Sequence, residues 1–99
     1  DKHYLIMSDY AGRYLELDSD YGDLSNANVQ IWDFFDPSDP IHRDFLWYLE
    51  KQEGDYYRIV NARTNKALHI AGSVDANDVY IDTSFDTGIA TWFKFEKIS

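Results

Sequence analysis

Three aspartates, Asp18, Asp20 and Asp23, lie close together in the segment DSDYGD. Clustered carboxylates are the ligands that calcium prefers. The spacing nevertheless fails the EF-hand pattern, because Asp23 stands where that loop needs glycine and no glutamate occupies its twelfth position. We therefore predict no metal site in this chain.

Side chains that could catalyse a reaction are present, but no known catalytic pattern joins them. The three histidines, His3, His42 and His69, belong to different segments without ligand spacing, and there is no cysteine. The chain has no G-x-S-x-G, Walker or H-E-x-x-H motif. Carboxylate pairs are uninformative in so acidic a chain. We predict a protein that is not an enzyme and holds no cofactor.

The overall charge and composition exclude further classes. The 99 residues carry 18 acidic and 9 basic side chains, for a net charge of −9. Binding to nucleic acid through phosphates needs a basic face, so we predict no nucleic-acid partner. No apolar run approaches the roughly 20 residues of a membrane helix, so we predict no membrane insertion. An apolar content of 44% and an aromatic content of 17% indicate one globular domain.

The sequence contains an internal repeat, whose clearest copy is the stretch Tyr57–Ala71, YRIVNARTNKALHIA. Two short apolar strands flank a polar turn there, and apolar residues alternate with polar ones in the period of half-buried strands. An earlier copy has apolar residues at the same positions, 53 residues before: Tyr4, Ile6, Leu15 and Leu17 match Tyr57, Ile59, Leu68 and Ile70.

Four strands are predicted in each copy. In the first copy they are Tyr4–Met7, Tyr14–Leu17, Val29–Phe34 and Phe45–Leu49. In the second copy they are Tyr56–Val60, Ala67–Ile70, Val79–Asp82 and Trp92–Phe95. Turn residues separate them, and no stretch has the apolar period of a helix. Eight short strands, four in each repeat of about 50 residues, predict an all-β fold of propeller or trefoil type.

Loop lengths and alternation fix two details of the alignment. We align Val29 with Val79 and Ile31 with Ile81, 50 residues apart. In the last strand either Trp92 or Phe93 could match Trp47. Alternation favours Phe93 as the core residue, with Trp92 as an outer ring.

Two segments now carry a family resemblance: NANVQIWDFFDPSDPIHRDFLWYL and YRIVNARTNKALHIAGSVDANDVYI both resemble the ricin B-type lectin repeat. In that family an aromatic residue opens each repeat, and a Leu-centred strand is followed by an apolar-Gln-apolar strand. Val29-Gln30-Ile31-Trp32 is similar to the latter. Phe45-Leu46-Trp47 stands where the family has Gln-x-Trp.

The resemblance covers nearly the whole chain as one domain, 1–99, with repeat one at about 3–50 and repeat two at about 56–98. It implies a β-trefoil, which is built from three such repeats, whereas two are visible here. Three explanations remain open. The chain is a fragment, or a third repeat lies outside it, or association completes the core.

The resemblance also implies a carbohydrate site with four parts. A carboxylate near the second strand binds sugar hydroxyls, an aromatic ring stacks on the sugar, and an amide and a glutamine complete the set. Glu16 stands at the carboxylate position, with Asp18 as the alternative, and Trp32 stands at the stacking position. Asp44 replaces the amide and Phe45 the glutamine. The predicted carbohydrate-binding residues are Glu16, Asp18, Trp32 and Asp44.

Repeat two has different residues at these positions. His69 stands at the carboxylate position, Asp82 at the aromatic position, and Ala90 and Thr91 where the amide would be. None of them would hold a sugar by the family's mechanism, so we predict that this copy binds none.

The leading functional prediction is a non-catalytic carbohydrate-binding or receptor-targeting module of a larger secreted protein, toxin or enzyme. By resemblance its ligands are galactose-type sugars, and its location is secreted or extracellular. The alternative is a trefoil that has lost the sugar and serves as a protein–protein interaction or subunit-assembly module. Its interface anchors would be Trp92, Tyr48 and Phe35, and a protein partner or self-association would complete the fold.

Overall fold

A computed structural model describes residues 2–17, 29–32, 40–71 and 80–98. These residues form eight strands: β1 (Met7–Ser8), β2 (Arg13–Leu17), β3 (Val29–Trp32), β4 (Trp47–Lys51), β5 (Tyr56–Asn61), β6 (Ala67–Ala71), β7 (Tyr80–Ser84) and β8 (Phe93–Lys94). A first 3₁₀ helix, Pro40–Phe45, precedes β4, and a second, Ile89–Thr91, precedes β8. In these ranges no helix is long and apolar enough to cross a membrane.

All eight predicted strands therefore have a counterpart, and the fold is all-β. The ends of two predicted strands, beyond Trp32 and at Val79, lie outside the described residues. The first strand is shorter than predicted, because Tyr4 makes only an isolated bridge with Trp47. The fourth strand begins two residues late, because Phe45 ends the first 3₁₀ helix.

The strands form two antiparallel sheets. One has the order β1-β2-β3, and the other has the order β4-β5-β6-β7, with β8 paired to β5. The bridge between Tyr4 and Trp47 joins the sheets through two hydrogen bonds, of 2.7 and 3.1 Å. β4, the last strand of the first repeat, therefore belongs to the second sheet and pairs at Trp47 with Tyr4 of the segment before β1.

The same pairing ends each copy of the repeat. Tyr4 pairs with Trp47, and Tyr57, its counterpart 53 residues later, pairs with Phe93. Both residues are half-buried, but Phe93 packs against the core, whereas the ring of Trp92 lies near that of Tyr56. The prediction that Phe93 rather than Trp92 matches Trp47 is confirmed.

The alignment of the third strands was wrong by two residues. Leu17 pairs with Val29, and its counterpart Ile70 pairs with Ile81. Val29 therefore corresponds to Ile81, 52 residues later, and not to Val79. An apolar-x-apolar pattern fits both registers equally well, and only the pairing across the hairpin distinguishes them.

The turns after the first strands show the same backbone in both copies. Gly12 and its counterpart Asn65 have φ angles of 65° and 61°. The amide of Gly12 donates to the carbonyl of Ser8, and that of Asn65 to the carbonyl of Asn61, both at 2.8 Å. Glycine and asparagine are the residues that adopt this left-handed conformation most readily.

Trp47 lies at the centre of the core. Its side chain is fully buried with Ile59 and Leu68, and further apolar side chains pack around this group: Ile6, Leu15, Val29, Leu49 and Phe93. The indole Nε1 donates a 3.1 Å hydrogen bond to the carbonyl of Leu15. One side chain therefore holds β2 against β4 by both burial and a hydrogen bond.

We predict that Trp47→Phe lowers the free energy of unfolding by about 2–4 kcal/mol, because it leaves a cavity and deprives a carbonyl of its donor. Urea unfolding followed by far-UV circular dichroism measures this. Trp92→Phe is the matched control, since the Trp92 indole donates at an exposed site to the carbonyl of Thr87 and should cost about 1 kcal/mol or less. Equal losses in the two variants would contradict the central role of Trp47.

Candidate functional site

The hairpin of β2 and β3 places four functional side chains on one face. Tyr14 pairs with Trp32, and Glu16 pairs with Gln30. Because side chains alternate between the faces of a sheet, these two cross-strand pairs lie next to each other on the same face. Two aromatic rings thus adjoin an amide and a carboxylate.

The carboxylate of Glu16 is nearly buried, with 7% of the residue exposed. Gln30 Nε2 donates a hydrogen bond of 2.7 Å to Glu16 Oε1. A charged acceptor strengthens such a bond, so the pair sets the orientation of both side chains. Gln30 is a site residue that the sequence prediction missed. It lies two positions before Trp32 on the same strand, so the sequence already placed both side chains on one face.

Trp32 ends β3 with 54% of its surface exposed. Tyr14 stands opposite it on β2 and is half-buried. An indole held at a strand end with half its surface in solvent offers a flat apolar platform. The structure thus places Trp32 and Glu16 on the same face of one hairpin.

Asp44, another predicted binding residue, belongs to a different element from the hairpin. It lies in the first 3₁₀ helix, which packs against β2, and it is 3% exposed. Its main-chain carbonyl accepts a 2.9 Å hydrogen bond from Nδ2 of Asn61, whose side chain is fully buried. The oxygen of the same Asn61 amide accepts from the backbone amide of Arg63 at 2.9 Å. A buried asparagine therefore fixes the backbone that carries Asp44.

Asp18, the fourth predicted binding residue, lies outside the described residues, as do Asp20 and Asp23 of the acidic segment. Its role stays a prediction. In the parts of the chain that the structure describes, no three histidine or carboxylate side chains are grouped closely enough to hold a metal ion.

Repeat two has a polar pair at the same register as Glu16 and Gln30. His69 pairs with Asp82 across β6 and β7, and His69 Nδ1 lies 2.8 Å from Asp82 Oδ1. The other ring nitrogen is 3.8 Å from a carboxylate oxygen of Asp86. Asp82 is therefore the counterpart of Gln30. The prediction that it occupies the aromatic position was wrong, because the third strands had been aligned two residues out of register.

The aromatic pair has no equivalent in repeat two. Ala67 pairs with Ser84 at the register where the first copy pairs Tyr14 with Trp32. Thr91, predicted at the amide position, is fully buried, and its hydroxyl donates to the carbonyl of Gly88 at 2.7 Å. This copy has hydrogen-bonding groups on the face but no ring at the platform position.

We predict that Gln30→Ala lowers the free energy of unfolding by about 1–3 kcal/mol, because a nearly buried carboxylate loses a donor. Gln52→Ala is the control: its amide donates to the carbonyl of Glu50 at an exposed site, so the loss should be about 0.5 kcal/mol or less. Urea unfolding of both variants provides the comparison. A Gln30→Ala protein as stable as the control would show that the pair does not brace the hairpin.

Comparisons with known proteins give two findings. A family model described as ricin-type beta-trefoil lectin domain-like matches residues 1–92. The crystal structure of ThreeFoil, a designed threefold-symmetric protein, superposes with a TM-score of 0.80 at 17% sequence identity. The match covers 99% of this chain and 66% of the designed one, so the chain spans just under two thirds of that protein. At this identity the likeness shows the fold alone. No curated protein matches the chain at a significant level.

Proposed function

The chain belongs to the ricin-type β-trefoil lectin domain-like family, and on that basis we propose that it is a carbohydrate-binding module. Proteins of this lectin-like family are generally non-catalytic, and the proposed role requires no reaction. One observation carries the proposal: the β2–β3 hairpin sets the exposed indole of Trp32 beside the hydrogen-bonded pair of Gln30 and Glu16.

A sugar needs two kinds of contact, and this face offers both. The C–H face of a pyranose ring stacks on an apolar platform, for which Trp32 is the group proposed. Its hydroxyls need amide or carboxylate partners that replace water. Gln30 and Glu16 are the partners proposed on the hairpin, with Gln30 oriented by its bond to the carboxylate.

Two further carboxylates are proposed for this site, Asp44 and Asp18. Asp44 contributes from the 3₁₀ helix that packs against β2, and its 3% exposure suits it to holding the edge of the site rather than covering a sugar. Asp18 directly follows Leu17, the last residue of β2, and is the alternative carboxylate. Galactose-type sugars, which present a continuous C–H patch to a ring, are the proposed ligand class.

One shallow site of this kind binds weakly, with a dissociation constant on the order of millimolar. Useful avidity then requires several sites on one particle or one polypeptide. We therefore propose that the module acts as a receptor-targeting part of a larger secreted or extracellular protein, such as a toxin or an enzyme.

A second candidate function is supported by a different observation. Large apolar side chains line an open cavity with much of their surface exposed, among them Leu5, Met7 and Phe95. Exposed apolar patches mark interaction surfaces. On this reading the domain is a protein-interaction or assembly module. Of its predicted anchors, Trp92 and Tyr48 are half-buried, and Phe35 lies outside the described residues.

We predict that Trp32→Ala weakens galactoside binding by about tenfold or more, equivalent to a loss of about 1.4 kcal/mol. The free energy of unfolding should change by less than about 1 kcal/mol, since the ring is half in solvent. Titration calorimetry with lactose, after a glycan array to choose the best ligand, measures the change.

Phe85→Ala is the matched control for that measurement. Phe85 is 67% exposed and follows Ser84, the counterpart of Trp32 in repeat two. Its removal should leave galactoside binding unchanged. Binding that survives Trp32→Ala would remove this ring from the site, and an intact chain that binds no glycan on the array would favour the second candidate function.

A further inference from the structure

A second group of rings and polar side chains lies away from the β2–β3 hairpin, on the five-stranded sheet. Tyr57 pairs with Phe93, which packs against the core. Their neighbours Tyr56 and Lys94 pair with each other, and Trp92 precedes β8 with an extended backbone. Because side chains alternate between the faces of a sheet, Tyr56, Trp92 and Lys94 lie on the outer face, which points away from the core.

The two rings on this outer face form a fixed pair. The ring centroids of Tyr56 and Trp92 are 6.1 Å apart, with 40° between the ring planes. Trp92 Nε1 donates a 3.2 Å hydrogen bond to the carbonyl of Thr87, and Lys94 Nζ lies 5.7 Å from the centre of the Tyr56 ring. Tyr56 is 40% exposed and Trp92 is half-buried. Rings that are held in place offer an apolar platform at little cost in conformational entropy.

Polar groups border this platform. Glu50 pairs with Arg58, two positions from Tyr56 on β5, and Arg58 Nη1 donates to Glu50 Oε1 at 2.6 Å. Gln52 Nε2 donates to the carbonyl and to Oε1 of Glu50, at 3.0 and 3.2 Å. The backbone amide of Gln52 donates to the carbonyl of Tyr56 at 2.9 Å. An amide and a carboxylate therefore lie on the same face as the ring of Tyr56 and next to it in the sheet.

The outer face has the same chemical groups as the hairpin site. The β2–β3 hairpin combines two aromatic rings with an amide that donates to a carboxylate. The face of β4, β5 and β8 combines the same groups. The strand pairing makes His3 and Leu46 the counterparts of Tyr56 and Trp92 in repeat one, so the repeat does not explain this likeness. The two kinds of contact that a sugar needs are thus present at a second, unrelated place in the fold.

The charges on this face are balanced. Glu50 is paired with Arg58, and Lys94 Nζ lies 3.0 Å from Glu96 Oε1, although the chain as a whole carries a net charge of −9. The side chains of Glu50 and Lys94 are 45% and 39% exposed, so solvent and hydroxyl groups reach both. A neutral ligand can bind here without separating either ion pair, whereas a charged one would leave a charge uncompensated.

We propose that this outer face of β4, β5 and β8 is a second carbohydrate site, whose ligand is a neutral pyranose. Tyr56 and Trp92 would be the stacking platform, and Glu50, Gln52 and Lys94 would bind the hydroxyl groups. The proposal rests on the proposed function for its class of ligand, but it uses no residue of the hairpin site.

The two sites differ in strength. Trp92 is half-buried, whereas Trp32 is 54% exposed, so the outer face offers the smaller platform and binds more weakly. The loss of about tenfold on Trp32→Ala is therefore still expected in calorimetry, and the weak binding that remains belongs to the outer face. The sites lie on different sheets, so one chain would contact two sugar units of a glycan-covered surface, which raises avidity.

The three tryptophans make the test specific, because each indole N–H gives its own signal in a nitrogen-15 NMR spectrum. The probes are three neutral disaccharides, lactose, cellobiose and maltose. With at least one of them the Trp92 signal should shift and saturate, both in the native chain and in Trp32→Ala. The signal of Trp47, which is fully buried, is the internal control and should not move. A Trp92 signal that none of the three sugars shifts in Trp32→Ala would overturn the proposal.

The same spectra separate this proposal from the proposed function. A shift of the Trp32 signal without one of Trp92 would overturn the second site and leave the hairpin site standing. A shift of the Trp92 signal alone would support the second site and count against the hairpin site. No shift of either would overturn both. Sialyllactose that binds at Trp92 more tightly than lactose would overturn the assignment of a neutral ligand.

Three variants locate the contact. Tyr56→Ala should weaken binding at Trp92 by about tenfold or more, and Gln52→Ala by about threefold or more. Gln52 bonds at an exposed site, so its variant keeps the test available if Tyr56→Ala does not fold. Phe95→Ala is the matched control, because Phe95 is 61% exposed and its ring lies near Tyr57 on the other face. Equal losses in Phe95→Ala and Tyr56→Ala would overturn the assignment.

Dilution of the sugar-free chain tests the competing occupant. The Trp92 signal should stay in place, since the outer face is proposed to bind sugar and not protein. A shift on dilution would identify a second copy of the chain as the occupant of this face and would overturn the proposal.

Discussion

The rest of this structure depends on the burial of Trp47 and on the single hydrogen bond that its indole donates to the carbonyl of Leu15. The backbone of the same residue bridges Tyr4 and pairs with Asn61 of β5. One residue thus joins the hairpin of β2 and β3 to the five-stranded sheet. The buried amide of Asn61 extends this junction to the segment that carries Asp44. Contacts of buried residues therefore fix the positions of β2 and of the segment that carries Asp44.

The two copies of the repeat share a scaffold but differ in what they present to solvent. Cross-strand pairs at the same register hold Glu16 and Gln30 in one copy and His69 and Asp82 in the other, and both pairs are hydrogen-bonded. The neighbouring pair is aromatic in the first copy and consists of alanine and serine in the second. The polar pair braces a hairpin in either copy. A stacking platform exists at this register only in the first, which is why the proposed sugar site is there.

The open apolar cavity differs in origin from the hairpin face that carries Glu16 and Trp32. Alternation along the strands directs apolar side chains inward whether or not anything covers them. Phe95 lies two residues after Phe93, which packs against the core; it lines an open cavity and is 61% exposed. Within the described residues, no strand pairs with the edge of β8 that corresponds to the edge of β4 paired with β5.

The sequence by itself determined the eight strands, their repeat and the family, because alternation and turn residues are local signals. It also identified Phe93 as the core residue, since only one register turns Lys94 outward. It could not align Val29 with Ile81, because apolar alternation is degenerate to a shift of two residues. The near burial of Glu16 and Asp44, the partnership of Glu16 with Gln30 and the open apolar cavity were decided by tertiary structure. Burial and pairing depend on which strands meet, and that is a property of the whole fold.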